Sequence, residues 1–109
     1  MALALNVFKT VTGIVSTSPT IIYTAPVGYT GVSLLAQVAN VSASSEDVTL
    51  VHRRSSTDTR MLKDYPVSGN DTVSLFSGKL FLESGDKLVL SGSNGTNLEY
   101  VVSILETLN

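Results

Sequence analysis

Short apolar and β-branched runs alternate with clusters of glycine, proline, serine, threonine and asparagine along the whole 109-residue chain. That rhythm predicts many short strands joined by turns. No stretch sustains a helical stripe with caps at both ends. The first predicted strand runs from Asn6 to Thr17, bent at Gly13, and Pro19 ends it. Thr20 to Thr24 follows, then a Pro26/Gly28 turn, then the most apolar strand, Gly31 to Val41. Period-2 alternation there puts Val32, Leu34, Ala36 and Val38 on one face. After the polar loop "SASSED", Asp47 to Ser55 places Val48, Leu50 and His52 together, and "SSTD" turns the chain into Arg60 to Tyr65. The later strands are Thr72–Phe76, Lys79–Glu83, Asp86–Ser91 and Leu98–Leu108. Asn94-Gly95 between the last two is a hairpin signal, because both residues tolerate positive φ. On the last strand Leu98, Tyr100, Val102 and Ile104 share a face. Eight or nine short strands at this spacing predict an all-β fold. We expect a single antiparallel β-sandwich over residues 1–109, of jelly-roll or immunoglobulin-like type.

Composition sharpens this picture. Charged residues make up only 15% of the chain, and the formal net charge is −2. Such a balance gives no electrostatic footprint for nucleic acid or for an acidic membrane. A small domain with so few charges and a positive mean hydropathy fits a protein whose surface is partly covered by other subunits. We therefore expect other subunits to cover part of this surface. There is no cysteine, which removes disulfides, thiolate metal ligands and cysteine nucleophiles. The opening "MALALNVFKTVTGIV" lacks a basic flank and a cleavage pattern, and Lys9 interrupts it, so it reads as neither signal peptide nor membrane span.

Candidate chemistry is sparse. "FLESGDKLVLSGS" sets Glu83 and Asp86 around Ser84-Gly85. A calcium loop needs six to eight oxygen ligands in a fixed register, which this stretch lacks. It reads as a turn in which Gly85 takes positive φ and Asp86 bonds backbone amides. His52 is the single histidine, read as structural or interfacial, since neither a zinc site nor a serine nucleophile motif accompanies it. The three Asn-X-Ser/Thr sequons are expected by chance in so Asn/Ser/Thr-rich a chain. No catalytic residue, cofactor or metal is expected. Two features read as contact surfaces. "MALALNVF" is either a terminal strand or an arm over residues 1–8 that lies on a neighbour through Leu3, Leu5, Val7 and Phe8. The hairpin "HRRSSTDTRMLK" offers Arg53, Arg54 and Arg60 to a partner. A glycan-binding alternative rests on Tyr29 and Tyr65 as loop-tip aromatics.

The segment "IIYTAPVGYTGVSLLAQVANVSASSEDVTLVHRRSS" joins a Y-T-x-P-x-G turn to an apolar strand ending in "QVAN", a polar loop and a "DVTL" strand. Downstream come "YPVSGNDTVSLFSGKLFLESGDKLVL" and a strand reaching "SILE". This pattern, over most of residues 20 to 106, resembles small virion structural proteins of tailed bacteriophages, including those of cyanophages. The resemblance implies a noncatalytic building block of the phage particle. Its partners would be the major capsid protein or other virion proteins, and in that role we expect a symmetric homo-oligomer, a trimer ahead of a dimer. Its place would be the capsid exterior, as a decoration or cement protein, or alternatively the tail, neck or baseplate as an adaptor.

Overall fold

The computed structural model describes residues 5–109. Nine strands occupy them: β1 (Asn6–Ile14), β2 (Thr20–Thr24), β3 (Tyr29–Asn40), β4 (Glu46–Arg54), β5 (Thr57–Val67), β6 (Thr72–Ser74), β7 (Leu80–Leu82), β8 (Lys87–Gly92) and β9 (Leu98–Leu108). One sheet has the order β1-β9-β3-β6, with β7 also on β3, and the other has the order β2-β8-β4-β5. Every pairing is antiparallel. The pairings are nested: β4 with β5 innermost, then β3 with β6 and β7, then β2 with β8, then β1 with β9. Successive pairs alternate between the two sheets. A ribbon closed at the β4–β5 turn and rolled in this way is a jelly roll. Of the two sandwich types open from sequence, the strand order selects this one.

The core lies between the sheets. Leu50, Leu75, Leu82, Leu88, Leu90, Leu98 and Ile104 are its largest fully buried side chains. Each contributes about 1.5–3 kcal/mol by leaving water. They come from both sheets, because alternation along β4, β8 and β9 sends every second residue inward.

Three expectations change. First, strict alternation fails in β3. The register with β9 shifts between Ser33 and Leu35, so Leu34 is the extra residue of a bulge. Gly31 and Ser33 face inward before it, Ala36 and Val38 after it, and Leu34 is exposed. An inserted residue reverses the faces on one side of the bulge, so Val32 and Leu34 leave the predicted core face. Second, Asn94-Gly95 is not a hairpin turn. β8 and β9 lie in different sheets, so the chain crosses between them there. Asn94 shapes the crossing with its side-chain oxygen, which accepts hydrogen bonds from Thr96 N, Thr96 Oγ1 and Asn97 N. Third, β1 stops at Ile14, and Val15 turns into the core with its amide bonded to the Leu98 carbonyl. Pro66 does lie within a strand, but β5 is at a sheet edge, where a missing N–H disturbs no ladder.

Candidate assembly surface

Residues paired across an antiparallel ladder project from the same face of the sheet. In β9, Val102 and Ile104 face the core, so Val101, Ser103 and Leu105 face outward. The register then carries one outward row across four strands. Phe8 on β1 pairs with Leu105 on β9, Leu105 with Val32 on β3, and Val32 with Phe81 on β7. The aromatic ends are largely in solvent, Phe8 at 75% and Phe81 at 63% exposed. Leu34 and Leu35 extend the apolar area beside the row. There the edge of β3 loses its partner between β6 and β7, leaving an open groove of about 520 Å³ lined by Leu34, Leu35, Phe76 and Lys79 among others.

The same registers place Glu99 as the one charged strand residue on this outer face among the described residues. The opposite outer face differs. There Arg60 pairs with Val51, and Lys87 with Arg53, which faces Asp58. One face of the sandwich is thus almost neutral, with an apolar row set among Ser, Thr, Asn and Gln side chains, while the other carries several charges. Contiguous exposed apolar area of this kind marks a binding surface more often than chance.

The sequence-predicted contact residues fall in different places. Leu3 lies outside the described residues. The Leu5 carbonyl accepts from Leu108 N at 2.8 Å, and Asn6, Val7 and Phe8 pair with Thr107, Glu106 and Leu105. Of the terminal strand and the arm, Asn6–Phe8 take the first, as an edge strand of the chain's own sheet, held there because β9 presents a free ladder. Val7 and Phe8 point to opposite faces, and of the two only Phe8 joins the outward apolar row. Arg53 makes a two-pronged pair with Asp58, Nε–Oδ1 at 2.6 Å and Nη2–Oδ2 at 3.0 Å. That pairing holds the Asp58 carboxyl below its usual range, and Arg60 adds to the effect.

Arg54 is committed within the chain rather than offered outward. Its Nε and Nη2 donate to Asp86 at 2.9 and 2.8 Å, and Nη2 also lies 3.1 Å from Glu83. Asp86 is buried, and it further accepts from the Glu83 amide at 2.9 Å. His52 Nε2 lies 3.1 Å from the same Asp86 oxygen and must carry the proton to donate to it. Foremost the Arg54 bonds, then the Glu83 amide and His52, keep the Asp86 carboxyl well below the ordinary carboxylate range, against the opposing effect of burial. Glu83, Ser84, Gly85 and Asp86 are thus a turn, with Gly85 at φ +87°, and a guanidinium occupies the position a cation would take. The arrangement ties the β4–β5 hairpin end to the loop before β8.

A second buried carboxylate links the sheets. Tyr23 Oη on β2 donates to Glu106 on β9 at 2.6 Å, and Lys9 Nζ lies 3.3 Å from its other oxygen. Gly31 makes room for this crossing, since a Cβ there would stand 2.9 Å from the Tyr23 hydroxyl. Burial, followed by the Glu106 bond and charge, pushes the Tyr23 phenol well up. The two tyrosines of the glycan-binding alternative do not share a platform: Tyr29 begins β3 in one sheet and Tyr65 lies on β5 in the other. Sequence reading missed Val32, Phe81 and Leu105. Alternation in "KLFLE" was the available signal, since it turns Phe81 outward between Leu80 and Leu82.

No family model matches the chain, and no relative is found among curated proteins. Solved structures do resemble it. One is a chain in the acidic stable capsid structure of Helicobacter pylori bacteriophage KHP30, with a TM-score of 0.59 and 10% identity, covering 96% of this chain and 89% of that one. Another comes from Bacillus endospore appendages, which form a family of disulfide-linked pili, with a TM-score of 0.55 and 15% identity, covering 100% of this chain and 97% of that one. At these identities the likeness is one of fold, over nearly the full length of each chain.

Proposed function

We propose that this chain is a noncatalytic structural protein of a bacteriophage particle that decorates or cements the capsid exterior by binding across capsid subunits. The apolar Phe8–Leu105–Val32–Phe81 row, on the nearly uncharged outer face of the β1-β9-β3-β7 sheet, carries this reading. A stable domain gains nothing by exposing Phe8 and Phe81, whereas a subunit buried in an assembly uses them as anchors. The fold, similar over nearly the full length to that of a chain in a phage capsid structure, supports it. So does the resemblance of residues 20 to 106 to phage virion proteins. A protein that binds only the assembled shell shifts the equilibrium toward it by mass action. Location in the tail, neck or baseplate is the nearest alternative. Disulfide-linked pilus assembly, the chemistry of the second structural neighbour, is closed to a sequence without cysteine.

The test is co-sedimentation of the purified chain with shells stripped of it. Saturable binding that raises the temperature of shell disruption supports cementing. Binding to isolated tails but not to shells would move the protein to the tail.

A further inference from the structure

We propose that the outer face of the β1-β9-β3-β7 sheet pairs with the same face of a second copy, around a two-fold axis running along the strands between β9 and β3. The inference rests on the reading of this face as an assembly surface and names what covers it.

The face is self-complementary under that operation. The rotation exchanges β9 with β3 and β1 with the β6/β7 edge. It sets Phe8 of one copy opposite Phe81 of the other, and Leu105 opposite Val32, so each member of the apolar row meets an apolar residue. The lone charge also fits. Glu99 pairs with Ala39 in the sheet, so the exchange brings Glu99 over Ala39 of the other copy rather than over another Glu99. Facing sheets pack about 10 Å apart and within about 30° of alignment, which keeps these partners in reach near the axis.

The size reaches the lower end of what a stable dimer needs. The strands of this face hold 9, 11, 12, 3 and 3 residues in β1, β9, β3, β6 and β7, which at about 3.4 Å rise and about 4.8 Å spacing cover roughly 600 Å². Stable interfaces begin at about 600 Å² per partner. Neutrality favours a copy of the same chain over a charged partner, because like faces meet without repulsion and a charged surface would be desolvated without a counter-charge. This geometry favours a dimer over the trimer expected of a capsid decoration. It leaves the charged face, with Arg53, Arg60 and Lys87, pointing away on both copies.

Sedimentation velocity on two charge variants tests the pairing. The unaltered chain should sediment as a dimer. Phe8→Lys and Phe81→Glu should each be monomeric while keeping the circular dichroism spectrum of the folded parent, because both side chains are mostly exposed in the single chain. Mixing the two variants should restore a dimer, since position 8 of one copy then meets position 81 of the other with opposite charge. A dimer that persists in either variant alone overturns the proposal, as does a mixture that stays monomeric. An unaltered chain that is monomeric yet binds stripped shells would also overturn it while leaving the virion role intact. A dimer that ignores every particle component would sink the virion role and leave the pairing standing.

Discussion

Replacing Asp86 with asparagine keeps the side chain's shape and removes its charge from a buried position. Asp86 accepts four hydrogen bonds, two from Arg54, one from His52 and one from the Glu83 amide. An asparagine has a single acceptor oxygen. If that oxygen takes the place of Oδ2, the amide group points its own hydrogens at Arg54 Nε. The Arg54 side chain is 53% exposed, so its pairing is screened and weighs little in the balance. The bonds from the Glu83 amide and His52 are better shielded, and each loses its charge-assisted part, about 1 kcal/mol. The expected loss is about 2 kcal/mol, or a Tm lower by on the order of 10 °C for a domain of this size. Thermal and urea melts followed by circular dichroism measure it. The pH dependence separates charge from shape. The folded-state pKa of Asp86 is depressed, so its contribution is complete above the unfolded carboxyl value near 3.8 and fades as pH falls below it. The stability gap between the parent and Asp86→Asn should therefore narrow as pH falls below about 4. A variant melting within about 2 °C of the parent at pH 7 would refute the clamp, and a gap that widens in acid would refute its electrostatic origin.

Tyr23→Phe deletes the hydroxyl that meets Glu106 and should cost about 1–3 kcal/mol, because the buried carboxylate keeps only Lys9. Tyr23 has a raised pKa, so its contribution is complete below the unfolded value near 10 and declines as pH rises beyond it; melts between pH 9 and 11 should fall less steeply in the variant. Gly69→Ala drives a Cβ into the Ala43 backbone carbonyl and should destabilise by about 1–3 kcal/mol in urea melts, with the loop between β3 and β4 exchanging amide hydrogens faster. Leu50→Ala empties a fully buried position and should cost about 2–5 kcal/mol in the same assay, far more than any change at Phe81.

Much of the fold was legible because alternation is a local signal. The strands containing Val48 and Leu50, and Val102 and Ile104, were placed with the correct faces, and the Glu83–Asp86 turn was read as a turn. Strand partners were not legible. Asn94-Gly95 carries the local chemistry of a hairpin, yet the rolled ribbon sends β8 and β9 to different sheets, and tertiary pairing decides. The bulge at Leu34 likewise has no signature in "GVSLLAQ", where every residue suits a strand. It alone turns Val32 from core to surface and so creates the middle of the outward row. Arg54 looked like a surface contact because its partner, Asp86, lies far along the sequence. Burial of that aspartate depends on packing that composition does not encode.

A capsid decoration has to be visible on the shell, and cryo-electron microscopy of intact phage particles looks for it there. The expected result is jelly-roll density on the outside of the shell, over joints between capsid subunits, with the Phe8–Phe81 face covered. Density confined to the tail, or particles that hold none of the protein, would contradict it.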